Sequence, residues 1–361
     1  MVETKDLNRI FTLSKNVYEN LADSMSKEIF AARMSYNLTN DKKHVLDLVG
    51  MNPRFDPKKD SKLRALSDRL QRINEQSDAR LIIYGAGWYG QYLHTHLSEF
   101  DWYAFCDRDR NKQGGTFCDL PIISPEELMT NYKSDYVVIS SWLIYEEIYK
   151  ELQSFGFTED QIIYENIRFE DVNHQYFEES IMTPQLNEVF IDAGCFDCGT
   201  SLLFREWCGG NYDKIYAFEP DPKCYDKCQA VIHQEQLQNI ELLNAGVWSG
   251  DDQMNFNPIG NGSSSIDSEG IVSIKLRSID NVLQGSRATF IKMDIEGAEL
   301  EALRGARETI VKHRPRLAIC VYHKPEDMLT IQLYLQSCVP DYKFYLRHYS
   351  NSVTETVLYA I

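Results

Sequence analysis

The sequence is short of basic residues and has no long apolar run. Its 361 residues include 37 lysines and arginines against 54 aspartates and glutamates, which gives a formal net charge of −17. Neutralising phosphates requires a basic surface, so this balance argues against a nucleic-acid partner and against an anionic membrane surface. No segment approaches the roughly 18 consecutive apolar residues of a membrane span. The N-terminus also lacks the basic and apolar regions of a signal peptide, and we expect a cytoplasmic protein without membrane insertion.

The number and context of the cysteines argue against a disulfide framework. There are nine of them, and an odd number in a chain of this length fits reduced thiols in a reducing compartment. Cys195 and Cys198, followed by Cys224 and Cys228, come close to the spacing of a zinc ribbon. The first pair lies within a glycine-rich loop and the second within a predicted helix. Small buried apolar side chains are therefore the favoured interpretation over zinc.

Hydrophobic periodicity divides the chain into four segments. They are a helical N-terminal region at 1–76, a small Rossmann-like α/β domain at 77–166, a polar linker at 167–187 and a larger α/β domain at 188–361. The last two predicted strands are joined by a short connection, so they must be antiparallel neighbours. The helical N-terminus serves either in packing or in formation of a homo-oligomer.

The first glycine loop, GAGWYG, satisfies the dinucleotide-binding fingerprint. Gly85, Gly87 and Gly90 lie between a predicted strand and a predicted helix, where they allow a tight turn and close approach of a pyrophosphate. Asp107 ends the next strand, where a ribose hydroxyl could be held. No proton donor or hydride acceptor for a dehydrogenase lies nearby in the sequence. The loop either binds a nucleotide, NAD or a nucleotide sugar, or it is only structural.

The second glycine loop, DAGCFDCG, has the opposite electrostatic character. A diphosphate would meet like charges at Asp192 and Asp197, which would cost affinity. S-adenosylmethionine instead carries two cationic centres that suit acidic residues. Gly194 and Gly199 allow the backbone to approach this cofactor, and the helix that begins near Thr200 offers N–H groups to its carboxylate.

Two residues beyond the loop complete the predicted cofactor site. Glu219 ends the next strand, twenty residues after the loop, where it could accept hydrogen bonds from both ribose hydroxyls. Asn244 lies within a further predicted strand, NIELLNAGVW, and is also predicted to contact the cofactor. A carboxylate exposed to solvent at the end of a strand is the alternative interpretation of Glu219 alone.

Five ordered motifs resemble those of the FkbM-type methyltransferases. They are FIDAGCFDCGTS, YAFEPDP, IKLRSIDNVL, FIKMDIEGAELEALRGA and LAICVYHKPEDM, and they cover most of 188–361. The resemblance implies the Rossmann-like sheet of class I methyltransferases, which is parallel with a C-terminal antiparallel hairpin. It also implies transfer of a methyl group from S-adenosylmethionine to a hydroxyl oxygen, commonly of a sugar. The smaller α/β domain resembles those attached to sugar-modifying enzymes.

The cofactor set implied by this resemblance includes Asp192, Gly194, Gly199 and Glu219. The loop departs from the commoner form at Cys195 and at Asp197, which leaves the role of Asp197 open.

Methyl transfer from a sulfonium requires an aligned acceptor oxygen and a group that takes its proton. Asp294 and Glu296 follow one predicted strand, and His323 follows the next. Asp294 is the first choice beside the methyl group, either as base or as orienter, whereas His323 is the better base by its ordinary pKa. Alternatively, Asp294, Glu296 and Glu299 hold a divalent cation such as magnesium, or they only cap the following helix. A nicotinamide-dependent or nucleotide-sugar-binding protein that uses GAGWYG is the alternative function.

Overall fold

A computed structural model of the chain describes residues 4–42, 44–45, 48, 51–52, 54, 60–141, 144–165, 167, 171–257, 265–266 and 272–361. The chain divides into two compact units. The larger unit contains Met1–Leu48 and Glu170–Ile361, and the smaller unit contains Val49–Phe169. The N-terminal helices therefore group with the C-terminal segment, whereas the sequence-based boundaries at 76, 166 and 187 stay a prediction.

Two helices begin the larger unit, α1 (Thr4–Glu19) and α2 (Ser24–Thr39). The carboxylate of Asp23 caps α2, because its Oδ1 accepts a hydrogen bond from the N–H of Ser26 at 2.8 Å. The helix ends at Asn40, whose left-handed φ of 53° lets its N–H donate to the carbonyl of Tyr36. These helices confirm the helical pattern over the described part of the N-terminal region.

The smaller unit is an α/β sheet with a parallel core. Its elements are α3 (Ser61–Gln76), β1 (Leu81–Tyr84), α4 (Trp88–His96), β2 (Trp102–Cys106), β3 (Thr116–Phe117), β4 (Leu120–Ile123), α5 (Pro125–Asn131), β5 (Tyr136–Ile139), α6 (Tyr145–Ser154), a 3-10 turn (Glu159–Gln161) and β6 (Ile162–Ile163). The strand order is β3-β4-β2-β1-β5-β6, and every neighbouring pair is parallel except β3 and β4. The predicted alternation of strands and helices is confirmed, but the sequence analysis did not foresee the β3–β4 hairpin.

The larger unit continues with a second series of strands and helices. They are β7 (Glu188–Ala193), α7 (Gly199–Trp207), β8 (Tyr212–Phe218), α8 (Pro222–Gln234), β9 (Ile240–Leu243), β10 (Gly246–Val247), β11 (Asp252–Asn257), β12 (Ser265–Ile266), β13 (Val272–Arg277), α9 (Ile279–Leu283), β14 (Phe290–Met293), α10 (Glu299–Arg304), α11 (Arg307–His313), β15 (Arg316–Cys320), α12 (Asp327–Cys338), β16 (Phe344–His348) and β17 (Thr356–Ala360).

The main sheet of this unit has seven strands in the order β16-β17-β15-β14-β7-β8-β9. The strands from β15 to β9 are parallel, and β17 is antiparallel to both β15 and β16. This arrangement confirms the predicted class I methyltransferase sheet with its C-terminal hairpin. A smaller sheet has the strand order β10-β13-β11-β12, and its strands come between β9 and β14 in the chain. Most of the polar segment 257–270 falls outside the described residues.

The segment predicted as a linker is packed into the larger unit over its described residues, 171–187. Tyr176, Phe177 and Met182 are buried in the same apolar cluster as the central strands. At the end of the segment, buried Glu188 forms an ion pair with Arg316 on β15, and the guanidinium of Arg316 also donates to the carbonyl of Thr183. The polar composition of this segment concealed these contacts, because its few aromatic residues follow no regular period.

No helix in the described parts of the chain combines the length and the hydropathy that a bilayer crossing would require.

Candidate functional site

A cleft of about 620 Å³ lies at the carboxyl ends of the parallel strands of the main sheet. Its walls come from the loop after β7, from the residues after β8, from residues 245–247 and from the turn after β14. This edge is where ligands bind in open α/β sheets, and the volume falls in the usual range for small-molecule sites. Of the predicted site residues, Gly194, Glu219, Asp294 and Glu296 line this cleft.

Gly194 is the position in the β7 loop where only glycine fits. Its φ is +79°, and a Cβ atom there would lie 2.0 Å from the carbonyl oxygen of Asp294. The absence of a side chain thus allows the loop after β7 to approach the turn after β14. The residues predicted to bind the cofactor and those predicted to be catalytic therefore lie at one cleft.

Glu219 is a buried carboxylate that holds the backbone on one side of the cleft. One oxygen accepts from the N–H of Phe196 at 2.9 Å, and the other accepts from the N–H of Asp221 at 2.8 Å. Burial raises the pKa of Glu219 to about 7, although both backbone hydrogen bonds oppose this rise. Each carboxylate oxygen has further acceptor capacity, as recognition of a ribose would require.

Asp192 lies in a different environment from the one its predicted role required. Its carboxylate is fully buried, its Oδ2 accepts from the hydroxyl of Ser201 at 2.7 Å, and the ammonium of Lys292 lies 3.2 Å from its Oδ1. Lys292 therefore neutralises the negative charge that the sequence argument assigned to a cationic cofactor. Because the partner lysine is 100 positions away in the chain, local sequence could not reveal it.

The remaining predicted cofactor residues do not line the cleft. Asp197 is exposed, and its carboxylate accepts from the N–H of Gly199 at 2.9 Å, which shapes the entry to α7. Thr200 lies in the first turn of α7 and is partly buried, while Asn244 is exposed and directly precedes the cleft-lining residues 245–247. The electrostatic argument from the two loop aspartates is therefore not supported, and the cofactor assignment depends on Glu219 and Gly194.

His323 is surrounded by three carboxylates beside the cleft. Its Nδ1 lies 3.0 Å from Oε1 of Glu299, and its Nε2 lies 3.4 Å from Asp294 and 3.5 Å from Glu296. Glu299 is fully buried and also accepts from the N–H of Ile295 at 2.9 Å, which fixes its position. The structure therefore brings the three predicted catalytic residues, Asp294, Glu296 and His323, together with Glu299, which was predicted only as an alternative metal ligand or helix cap. We call these four residues the acidic–histidine group.

The charges in this group determine its protonation. Burial alone would lower the pKa of His323, but Glu299, Asp294 and Glu296 raise it to about 9. Burial alone would raise the pKa of Asp294, but Lys292 and His323 lower it overall. At neutral pH, His323 is thus a cation and Asp294 an anion, which argues against His323 as the base at neutral pH.

Two tyrosines that sequence reasoning missed hold Asp294. The hydroxyl of Tyr176 donates to Oδ2 of Asp294 at 2.7 Å, and the hydroxyl of Tyr322 donates to Oδ1 at 3.2 Å. Tyr322 directly precedes His323, so its position after β15 was a usable signal. Tyr176 comes from the segment predicted as a linker, and nothing in the local sequence pointed to the cleft.

The residues that could form a metal site in the structure differ from the predicted set. Ligand atoms of Asp294, Glu299 and His323 lie within 4.8 Å of one another, whereas Glu296 is not part of that set. Tyr176, Tyr322 and the cationic His323 already satisfy the Asp294 carboxylate. Over the described residues the set is held by ion pairs, with both ring nitrogens of His323 buried and without a hydrogen-bond partner, and a divalent cation there stays a prediction.

The GAGWYG loop of the smaller unit also borders a cavity, of about 690 Å³. Gly85 and Gly90 are explained by packing, since a Cβ on Gly90 would lie 2.1 Å from the carbonyl of Gly85. The carboxylate of Asp107 accepts from the N–H of Ala86 at 2.9 Å and pairs with Lys112 at 3.0 Å. Asp107 is thus already engaged within the protein, which weakens its predicted role toward a ribose hydroxyl.

Comparison with known proteins agrees with this architecture. Residues 197–342 match the family model of the methyltransferase FkbM domain. The match covers less than half of the chain, and over these residues the chain is similar to that domain. Residues 77–163, in the smaller unit, match a second model described as C2185-like, N-terminal.

Two relatives place the FkbM domain among known proteins. The hexuronic acid methyltransferase AglP of Haloferax volcanii is 26% identical over 134 residues, which cover 36% of this chain and 56% of that protein. The match thus spans little more than half the length of that relative. The crystal structure of methyltransferase FkbM from Methylobacillus flagellatus KT is similar with a TM-score of 0.50 and 21% identity, covering 90% of this chain and all of that chain. The structural likeness shows a shared fold.

Proposed function

We propose that the protein transfers a methyl group from S-adenosylmethionine to a hydroxyl oxygen of a saccharide. The observation that carries this proposal is that Glu219 and Asp294 line the same cleft at the carboxyl edge of a class I sheet. The FkbM domain supports the reaction class, and the hexuronic acid methyltransferase relative supports a sugar acceptor.

The residues of the cleft fit the chemical groups of S-adenosylmethionine. Buried Glu219 offers two oxygens with spare acceptor capacity for ribose hydroxyls, and Gly194 leaves the loop after β7 without a side chain at the approach to β14. When bound, this cofactor supplies an electrophilic methyl group on a sulfonium. The carboxylates of Asp294 and Glu296 line the cleft and give that cationic centre a favourable environment.

On the acceptor side, Asp294 is our choice for the group that orients the hydroxyl and takes its proton. It is ionised at neutral pH because Lys292 and His323 lower its pKa. The hydroxyls of Tyr176 and Tyr322 restrict its rotation. Positioning of this kind carries much of the rate of an in-line displacement, and a positioned base adds about 10²- to 10⁴-fold.

A product assay tests this function directly. The purified chain is incubated with S-adenosylmethionine carrying an isotopically labelled methyl group and with a panel of saccharides that includes uronic acids. We expect one labelled methyl group on a saccharide hydroxyl, and we expect Asp294→Asn to lower kcat, measured with saturating S-adenosylmethionine, by at least 10²-fold. Exposed Asp213→Asn serves as a matched control and should retain full activity.

The opposite result would support the alternative function. If the protein is stabilised by NAD and not by S-adenosylmethionine, the nicotinamide-dependent interpretation of the GAGWYG loop replaces the methyltransferase proposal. The ligand of that loop, whether nucleotide or nucleotide sugar, stays a prediction, as does a cytoplasmic location.

A further inference from the structure

Three thiols converge beneath the cofactor loop and have no part in the proposed reaction. Cys195, Cys198 and Cys228 are each buried, and their sulfur atoms all lie within 4.8 Å of one another. The sulfurs of Cys195 and Cys228 are 3.6 Å apart. We call these three residues the thiol triangle. Cys224, the fourth residue of the ribbon-like spacing, lies outside the triangle and lines the cleft instead.

The backbone presents the three sulfurs as a thiolate metal site does. Cys195 and Cys198 close a tight turn in which the N–H of Cys198 donates to the carbonyl of Cys195 at 2.7 Å, and Cys198 has a left-handed φ of +63°. Cys228 reaches the turn from α8. A pair of cysteines two residues apart on a turn, joined by a third from a helix, is a common source of zinc ligands.

The spacing of the sulfurs also suits a thiophilic cation. Zinc–sulfur bonds of about 2.3 Å in tetrahedral geometry place sulfur atoms roughly 3.8 Å apart. The Cys195–Cys228 distance of 3.6 Å already matches this value, and the sulfur of Cys198 lies within 4.8 Å of both.

The charges around the triangle favour a divalent ion. Three thiolates with a divalent cation carry one net negative charge, and the buried ammonium of Lys292 on β14 lies in the same electrostatic environment as Cys195. Buried Asp192 interacts electrostatically with all three thiols, and its Oδ1 forms an ion pair with the ammonium of Lys292 at 3.2 Å, so the Asp192–Lys292 pair adds no net charge.

We propose that the thiol triangle binds one zinc ion that holds the cofactor loop. Each thiol releases its proton to solvent as its sulfur forms a bond to the metal, and no residue is oxidised or reduced. Phe196 lies between two of the ligands, and its N–H donates to Glu219 at 2.9 Å. The thiol of Cys228 donates to the carbonyl of Phe196 at 3.2 Å in the metal-free protein, and bonds from the metal to Cys195 and Cys198 on either side of Phe196 would replace this hydrogen bond. Zinc binding therefore fixes the turn that carries a wall of the cleft. This last consequence rests on the proposed function, whereas zinc binding itself does not.

The metal content of the full chain tests the proposal. The protein is expressed in zinc-supplemented medium, purified under reducing conditions and analysed by elemental mass spectrometry. We expect about one zinc ion per chain in the wild type and less than about a tenth of that in Cys228→Ser. Cys208→Ser is the matched control, because Cys208 is a buried thiol of the same unit outside the triangle, and it should retain the full zinc content.

A second measurement keeps the test independent of whether the variant folds. Titration of the reduced, metal-free wild type with Co²⁺ should give the absorption of tetrahedral cobalt with thiolate charge transfer, and Zn²⁺ should abolish it. The proposal would be overturned if the wild type showed neither bound zinc nor the cobalt spectrum. It would also be overturned if Cys228→Ser retained its zinc, or if a disulfide joined Cys195 and Cys228 in protein purified under reducing conditions. Zinc binding without methyl transfer would contradict only the proposed function.

Discussion

Asp294 and His323 depend on each other for their charges. The imidazolium of His323 helps to lower the pKa of Asp294, and the carboxylates of Glu299, Asp294 and Glu296 keep His323 protonated up to about pH 9. The usual preference for histidine as a base at neutral pH therefore does not apply here. The carboxylate is the ionised group, and histidine is its counter-ion.

The pH dependence of kcat separates the two candidates for the base. If Asp294 takes the proton, kcat measured with both substrates saturating should be nearly constant between pH 7 and 9, because a lowered pKa leaves the carboxylate ionised throughout this range. If His323 were the base, kcat would rise about tenfold per pH unit until the pH reaches its pKa of about 9. Such a rise would contradict the assignment to Asp294.

A histidine variant supplies the control for this profile. His323→Gln removes the positive charge that favours ionisation of Asp294, so the pKa of that carboxylate should move upward and activity should fall at acidic pH. An unchanged acidic limb in His323→Gln would show that the imidazolium has no influence on Asp294.

Some of these residues could be predicted from sequence and others could not. Glu219, Asp294 and Glu296 follow strands directly, so the rule that ligands bind at the carboxyl ends of parallel strands placed them at the cleft. Tyr176 could not be placed, because its hydrogen bond to Asp294 joins residues 118 positions apart. The partner that neutralises Asp192, Lys292, is also remote in the chain. Without knowledge of this ion pair, the sequence led to the prediction that Asp192 faces the cofactor.

At the scale of elements, α2 is joined to the edge strand β16 of the main sheet. The carbonyl of Phe344 accepts from the N–H of Ala22 at 2.8 Å, and the hydroxyl of Ser26 accepts from the N–H of Leu346 at 2.9 Å. Asp23 both caps α2 and pairs with Arg347 at 2.7 Å. Periodicity predicted the helix, but contacts separated by more than 300 positions decide where it packs.

Replacement of Asp23 should therefore detach this helix in part. We expect Asp23→Ala to lower the free energy of unfolding of the larger unit by about 1 to 2 kcal/mol, because it removes a helix cap and a partly buried ion pair. Urea denaturation followed by circular dichroism measures the change. Asp23→Asn retains the cap and should lose less than half as much. Equal losses in the two variants would mean that capping contributes little.

At the scale of the whole molecule, two α/β units contain two glycine loops with different environments. The loop of the smaller unit has its acidic residue, Asp107, engaged with Ala86 and Lys112, whereas the loop of the larger unit opens on a cleft that also holds Glu219. From sequence motifs alone, both loops were predicted as candidate cofactor-binding loops. Asp294 and Glu296 line the cleft of the larger unit beside His323, and these residues favour the larger unit as the place of chemistry.

If Glu219 holds S-adenosylmethionine in this cleft, calorimetric titration of the full chain will detect it. At pH 8 the carboxylate of Glu219, with its pKa of about 7, is mainly ionised and able to accept from the ribose hydroxyls. We expect a measurable Kd in the wild type that weakens as the pH falls below 7, because the acceptor becomes protonated. Glu219→Gln should weaken binding by about 10- to 100-fold and should abolish this pH dependence.

Glu241→Gln is the matched control, because Glu241 is an exposed glutamate on the neighbouring strand β9 and pairs only with Lys214 among the recorded ion pairs of the described residues. Thermal unfolding of each ligand-free variant confirms that the fold is retained. The account predicts wild-type affinity in Glu241→Gln and strongly weakened affinity in Glu219→Gln. Failure of the wild type to bind S-adenosylmethionine, or undiminished binding by a folded Glu219→Gln protein, would contradict it.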